Sequence, residues 1–212
     1  MIFLIAIIPA LCWGINPLLV GKINGHSENE MFGMGIGDGL IALIFWLFSQ
    51  PTVTISGVTF GLAMISGAAW AIGQLGQYIS YRLLGVSKTM PISTALQLVG
   101  TSLIGVLMFG EWGSSNQKIL GLLAIMLIVA GSALSAGTSD GRKKGFSCYL
   151  PLLMTTIGYW IYSCIPKLVK VDALQLFLPQ MLGILIVAVG WAIYHQPTVY
   201  RDKQSWQNTL PG

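Results

Sequence analysis

Charged residues divide this chain into long apolar runs. Asp, Glu, Lys and Arg are absent from six stretches, at residues 1–21, 39–81, 89–110, 119–139, 145–166 and 173–200. Each stretch is at least as long as the roughly 20 residues that a helix needs to cross a hydrocarbon core of about 30 Å. None of them alternates apolar and polar residues as the strands of a membrane barrel do. The pattern therefore predicts membrane-spanning helices.

The apolar runs predict seven helices. The run 39–81 is interrupted by turn-forming residues at 50–52 and 56–57, so it holds the end of one helix and most of the next. The first run has no Lys or Arg before it and no small-x-small cleavage site near its end, which favours an uncleaved helix over a signal peptide. The predicted fold is an all-α, polytopic transmembrane bundle, with helices at residues 2–21, 32–50, 58–80, 90–109, 119–136, 146–165 and 174–194.

Composition excludes several classes of protein. Of the 212 residues, 54% are hydrophobic and only 8% are charged, whereas an ordinary soluble domain carries roughly 25% charged residues. This excludes soluble enzymes, nucleic-acid-binding domains and disordered segments. The three cysteines lie in apolar segments without metal-ligand spacing, and none of the common catalytic motifs occurs. We therefore expect no enzyme activity, no cofactor, no metal ion and no nucleic-acid partner.

A weak internal repeat predicts two related halves. Residues 13–20 and 162–169 both read aromatic, small, two residues, Pro, one residue, Leu, Val. Five helices separate the two starts, so the second copy would be inverted, as in many transporters with broken helices near the midplane. The predicted division is a first five-helix repeat at 1–139 and the start of a second repeat at 140–212. On this pattern the chain ends early in an eighth helix, before the second repeat is complete.

Polar residues share one face of the third predicted helix. Trp70, Gln74, Gln77 and Tyr81 follow the helical spacing i, i+4, i+7 and i+11. Two interpretations remain open: the amides join neighbouring helices, or they bind substrate hydroxyls beside an aromatic ring. Further uncharged candidates for the substrate site lie on the first and fourth helices, namely Trp13 and Asn16 next to Pro17, and Thr94 and Gln97. Such surfaces suit a neutral polyhydroxylated solute.

Two acidic residues are candidates for proton coupling. Asp38 lies within the second helix among glycines, where an ionised carboxylate is costly and is by default a functional candidate. A polar neighbour or a water-filled vestibule would instead make it structural. Glu111 lies at the end of the fourth helix, where an interfacial anchor is the alternative. Both residues are therefore coupling candidates with a structural alternative.

The distribution of basic residues bears on orientation. Lys and Arg residues number eight in one set of alternate loops and three in the other. The positive-inside rule then places the N-terminus outside the cell.

Several segments carry a family resemblance. Residues 67–74 with Gln77, residues 85–94, residues 97–101 and the Gly-Glu-Trp sequence at 110–112 resemble the glucose/ribose porter family of the drug/metabolite transporter superfamily. The resemblance implies ten helices in two inverted sets of five and sugar uptake driven by protons. It also implies that both termini are cytoplasmic, so the orientation stays open.

Together these observations predict a secondary transporter in the cell membrane that imports a neutral sugar such as glucose, with protons as the coupling ion. One alternative is an exporter of the same superfamily. Another is a membrane subunit or fragment that does not transport. The oligomeric state is left open.

Overall fold

The computed structural model describes residues 2–22, 26–49, 55–136 and 145–194. Within these ranges the chain forms seven α-helices and no strand, and a short 3₁₀ helix at Phe146–Tyr149 precedes the sixth. The predicted all-α bundle is therefore confirmed. In chain order the helices are α1 Ile2–Lys22, α2 Ser27–Ser49, α3 Gly57–Leu84, α4 Val86–Phe109, α5 Ser115–Ala136, α6 Leu150–Val169 and α7 Ala173–Tyr194.

Six of these helices, α2 to α7, are long and apolar enough to cross a membrane, and the first holds a shorter apolar segment, Ile7–Lys22. Large apolar side chains are exposed along most of the bundle, and α5 contributes no buried residue at all. In a lipid environment such surfaces need no protein cover, because hydrocarbon is as apolar as the side chains themselves. The protein is a multi-pass integral membrane protein.

Some helices extend further than the apolar runs predicted. α2 begins at Ser27 rather than 32, because acidic residues in its first turn, Glu28 and Glu30, suit the positive end of a helix. α3 begins after Ser56, whose hydroxyl accepts a hydrogen bond of 3.2 Å from the backbone of Thr59. α3 and α4 are separated by Gly85 alone, at a φ of 84° that favours glycine.

The third helix is the centre of the bundle and packs against α6, α7, α2 and α4. Glycines bring the backbones together, because a Cβ at Gly67 would overlap the carbonyl group of Gln180 and a Cβ at Gly183 would overlap that of Met64. A Cβ at Gly158 of α6 would likewise overlap the carbonyl oxygen of Ala69. Small residues at membrane helix interfaces allow this close approach.

The prolines within α1 and α6 do not end their helices. α1 runs on through Pro17, and α6 continues past Pro166 to Val169. Proline lacks an N–H, so Pro166 leaves the carbonyl oxygen of Tyr162 without its usual helical partner. The Ser66 hydroxyl of α3 donates a hydrogen bond of 3.1 Å to that oxygen. A neighbouring helix thus supplies the missing donor, and α6 continues.

Two sequence-based predictions fall outside the described residues. The predicted start of an eighth helix lies in 195–212, and the basic residues at 142–144 lie in the segment 137–144. The division into repeats at 1–139 and 140–212, and the orientation, therefore stay predictions.

Candidate functional site

A cavity of about 790 Å³ lies in the middle of the bundle. It is lined mainly by α1, α2 and α3, with Met90 of α4 and Phe177 of α7 completing the wall. Five residues predicted to bind substrate line this cavity together: Trp13, Asn16, Trp70, Gln74 and Gln77. Asp38, a predicted coupling residue, lines it as well. The helical spacing on α3 thus brings its stripe to one wall of one cavity.

A smaller cavity of about 370 Å³ adjoins the first. The two share Trp13, Asp38 and Trp70, and the smaller one adds Gln97 from α4 and Tyr159 from α6 among its lining residues. Gln97, the other predicted amide, therefore faces the same part of the bundle as the α3 stripe.

The amide of Gln77 is the middle of a hydrogen-bonded chain between α3 and α4. Its side chain is only 2% exposed, and its nitrogen donates to the Tyr81 hydroxyl at 2.8 Å. Its oxygen accepts from the Ser93 hydroxyl at 3.0 Å, and Ser93 in turn accepts from the Gln97 amide at 2.9 Å. The Tyr81 hydroxyl contacts the Met90 sulfur at 2.9 Å. This chain joins two helices and also forms part of the cavity wall.

Gln74 joins α3 to α6. Its amide oxygen accepts a hydrogen bond from the hydroxyl of Tyr159, a buried residue that sequence analysis did not place in the site. The Tyr159 ring lies 6.1 Å from the ring of Trp70 and 6.4 Å from that of Trp13, measured between centroids. The Tyr162 ring lies 6.4 Å from Trp70. Aromatic rings of three helices therefore surround the amides.

The Asp38 carboxylate lines both cavities. No hydrogen bond or ion pair joins it to another side chain within the described ranges. Two of the nearby glycines explain how α2 approaches α7: a Cβ at Gly35 would overlap Ala188, and one at Gly39 would lie 3.1 Å from Leu185. The close packing expected of the Gly35 and Gly39 spacing is thus present, and it holds Asp38 at the cavity.

Two predicted residues lie elsewhere. Thr94 lines a separate groove of about 320 Å³ between α4 and α5, together with Ile128 and Ser132. Glu111 lies beyond the end of α4, is about half exposed, and forms an ion pair with Lys167 of α6. Neither residue lines the two central cavities.

Ser93 and Tyr159 were missed because each acts through a partner on another helix. Tyr159, Tyr162 and Pro166 follow a helical spacing on α6, which is a signal for a shared face. Ser93 precedes the predicted Gln97 by four residues on α4 and accepts its hydrogen bond, so helical spacing could have placed it on the Gln97 face.

The sequence is similar to a known protein family along nearly its whole length. The family model described as "Sugar transport protein" matches residues 4–212. A relative named "Putative sugar uptake protein" in Lactobacillus helveticus is 45% identical over 99% of this chain and 75% of its own length. The chain belongs to the sugar transport protein family.

Other relatives in this family carry more specific names. A "Putative ribose uptake protein RbsU" of Staphylococcus epidermidis is 36% identical over 99% of this chain and 73% of its own length. A "Probable glucose uptake protein GlcU" of Priestia megaterium is 37% identical over 98% of this chain and 73% of its own length. No solved structure matches the chain. Membership of the sugar transport protein family makes this a transport protein of the cell membrane rather than an enzyme.

The described residues hold no group of three or more His, Cys, Asp or Glu side chains placed to bind a metal ion. Among the described residues that line the two central cavities, the charged side chain is the carboxylate of Asp38. The polar groups that a ligand meets there are otherwise amide, indole, phenol and hydroxyl groups, set in a mostly apolar wall.

Proposed function

We propose that this protein takes up a neutral sugar through the cavity between α1, α2 and α3. The observation that carries the proposal is a cavity of about 790 Å³, within a membrane bundle, whose polar lining is mostly uncharged. Small-molecule sites commonly measure about 300 to 1,000 Å³ and combine apolar walls with a few placed polar groups. The names of the relatives in sugar, ribose and glucose uptake support the same class of substrate.

The lining groups suit the two kinds of surface on a sugar. A sugar ring presents C–H groups that pack against an aromatic face, and Trp13 and Trp70 offer indole rings. Its hydroxyls both donate and accept, as a primary amide does through two N–H donors and a carbonyl oxygen. Asn16, Gln74 and Gln77 line the cavity with such amides.

The amides have two roles in this proposal. Gln74 and Gln77 hold Tyr159 and Ser93 of neighbouring helices, which agrees with the interpretation as helix-joining groups. The oxygen of Gln97, by contrast, accepts no hydrogen bond from the described part of the chain, and Gln97 lines the smaller cavity. Because the same side chains join helices and line the cavity, sugar binding can change how the helices pack.

We take glucose as the substrate to test first, with ribose as its competitor. The experiment is uptake of labelled D-glucose by the purified protein in proteoliposomes, with unlabelled ribose added in parallel. Gln74→Leu should raise KM for the sugar about tenfold, since one lost hydrogen bond is worth about 1.4 kcal/mol. Gln180→Leu is the matched control, because Gln180 is also a buried membrane amide, bonds to Ser66 and lines neither central cavity.

The proposal fails if neither sugar enters the vesicles, or if the two variants change KM equally.

Proton coupling is the finer part of the proposal. Of the two candidates from the sequence, Asp38 lines the cavity, whereas Glu111 lies outside it in an exposed ion pair. Collapse of a proton gradient by a protonophore should then reduce accumulation. If the proton gradient has no effect on sugar accumulation, uptake is not coupled to protons.

A second candidate function rests on Asp38. A carboxylate that faces a membrane cavity and is paired with no described side chain also suits an organic cation. An exporter would move an amphipathic cation rather than a sugar, and Asp38→Asn would abolish that transport. For the sugar carrier, the same variant should leave sugar binding detectable, because the amides and indoles remain.

A further inference from the structure

A second carboxylate, Glu30, lies in a separate cavity that shares the Tyr81 side chain with the cavity of about 790 Å³. It belongs to the first turns of α2, and its side chain is only 5% exposed. One oxygen, Oε1, accepts a hydrogen bond of 3.0 Å from Arg82 of α3. The other oxygen, Oε2, is buried and accepts no hydrogen bond from the described part of the protein. Both oxygens of a buried ionised carboxylate normally accept hydrogen bonds. In Glu30 only one of the two does so within the described part of the protein.

Glu30 and Arg82 line a cavity of about 300 Å³ between the ends of α1, α2, α3 and α4. Arg82 is 38% exposed, so its guanidinium group has access to solvent while the carboxylate does not. Tyr81 is on the wall of this cavity and also on the wall of the central cavity. The Glu30 cavity and the proposed sugar site therefore both contact the Tyr81 side chain.

Tyr81 also begins the hydrogen-bonded chain of the sugar site. Its hydroxyl accepts from Gln77, and that amide continues through Ser93 to Gln97. A change in the position of α2 against α3 at Glu30 thus acts on the residue that anchors the amide chain.

From this geometry we infer that Glu30 is a proton-binding site whose ion pair with Arg82 holds α2 against α3 beside Tyr81. A proton from water on the Arg82 side binds Oε2 and neutralises the carboxylate, and Arg82 then remains as an unpaired, solvated cation. Loss of the pair frees α2 from α3 beside Tyr81. The inference rests on the proposed sugar uptake, and it adds Glu30 to Asp38 as a group that couples that uptake to protons.

Other titratable groups near Glu30 are few. Arg82, Tyr78 and Tyr81 of α3 line the same cavity, and Glu28 precedes Glu30 on α2. His26 lies one turn before Glu30, and its carbonyl oxygen accepts a hydrogen bond from the Glu30 backbone N–H. α7 packs on α2 as well, but its single titratable residue is Tyr194, which is exposed. The remaining wall of the cavity, from α1 and α4, is made of residues without charge: Val20, Gly21, Gly85 and Val86.

A purely structural ion pair is the competing explanation. An acid in the first turns of a helix is favourable on its own, and removal of one partner of a buried ion pair is destabilising whatever the role of the pair. Stability alone cannot distinguish the two explanations, so the test has to separate coupling from folding.

The test compares two transport modes in proteoliposomes with labelled glucose. When the pH is equal on both sides, the rate at which Glu30→Gln exchanges labelled glucose for unlabelled glucose should stay within about twofold of that of the unmodified protein. Under a tenfold proton gradient the unmodified protein should accumulate sugar up to about tenfold for one proton per sugar, and Glu30→Gln should reach a ratio of about one. Glu28→Gln is the matched control and should accumulate sugar normally. Glu30→Asp keeps a titratable acid and should retain accumulation with a shifted pH dependence.

A second measurement does not depend on sugar. Infrared difference spectra between neutral and acidic pH should show the carbonyl stretch of a protonated carboxyl in the unmodified protein, in Glu28→Gln and in Asp38→Asn. Glu30→Gln should lose one component of that band, and the same component should remain in Glu28→Gln and in Asp38→Asn. A band in Glu30→Gln identical to that of the unmodified protein, or normal gradient-driven accumulation by that variant, overturns the inference. If the unmodified protein exchanges no sugar while the band behaves as expected, the proposed function fails and the proton site at Glu30 stands.

Discussion

The Ser66 hydroxyl of α3 donates to the carbonyl oxygen of Tyr162, the group that Pro166 leaves without a helical donor. Ser66 also accepts a hydrogen bond of 3.1 Å from the Gln180 amide of α7. A single hydroxyl therefore joins three helices and satisfies a carbonyl that lipid could not. Buried carbonyl groups without a donor are costly in a membrane.

This relationship predicts a coupling between Ser66 and Pro166. Ser66→Ala should lower the free energy of unfolding by about 1 to 3 kcal/mol, because it leaves the Tyr162 oxygen and Gln180 unsatisfied. In a Pro166→Ala background the loss should be smaller, since the new N–H can reach Tyr162. Thermal or denaturant unfolding in detergent measures both. Ser132→Ala should change stability by less than about 0.5 kcal/mol, because the Ser132 hydroxyl lies in the groove between α4 and α5 and bonds only within its own helix. Equal losses in both backgrounds would contradict the coupling.

The contact of Gly67 with the Gln180 backbone predicts a steric effect. Gly67→Ala would place a methyl group against a carbonyl that cannot move without its helix. We expect a loss of about 1 to 3 kcal/mol as α3 and α7 separate. Gly61 is on the same helix with nothing within 4 Å of its Cβ position, so Gly61→Ala should be neutral or stabilising by up to about 1 kcal/mol. Unfolding of the two variants in the same detergent compares them, and similar losses would contradict the packing argument.

Hydropathy and helical spacing were enough to predict the helices and the α3 residues that form one wall of the site. The apolar runs have the length that a bilayer requires, so their number could be counted before any packing was known. Trp70, Gln74 and Gln77 repeat at the helical period and so had to share a face, whichever way that face turned.

Residues that act across helices could not be predicted in this way. Tyr159 matters because of a partner 85 positions away, and no local period records such a distance. Thr94 precedes Gln97 by only three residues, yet it lines the groove toward α5. The sixth helix was predicted to end at 165, but α6 continues through Pro166 because a donor on another helix compensates for the missing N–H.

The position of Trp70 predicts an effect on transport. Its indole lines both central cavities and lies near the Tyr159 and Tyr162 rings. Trp70→Ala should raise KM for the sugar about tenfold through loss of the aromatic face, and Trp70→Phe should raise it less. Trp46→Ala is the control, because Trp46 is 43% exposed on α2 and lines neither cavity. Initial uptake rates over a range of sugar concentrations give KM for each variant. An unchanged KM for Trp70→Ala would remove the indole from the proposed site.

The exposed pair of Glu111 and Lys167 predicts a small effect on stability and none on coupling. Both side chains are more than 40% exposed, and exposed ion pairs contribute about 1 kcal/mol or less. Glu111→Gln should therefore unfold within about 1 kcal/mol of the unmodified protein, and added salt should shrink the difference further because it screens the pair. Gradient-driven sugar accumulation should be unchanged, in contrast to Glu30→Gln. If Glu111→Gln instead keeps exchange and loses accumulation, the coupling role that the sequence suggested for Glu111 holds, and the proton enters at the end of α4 and α6.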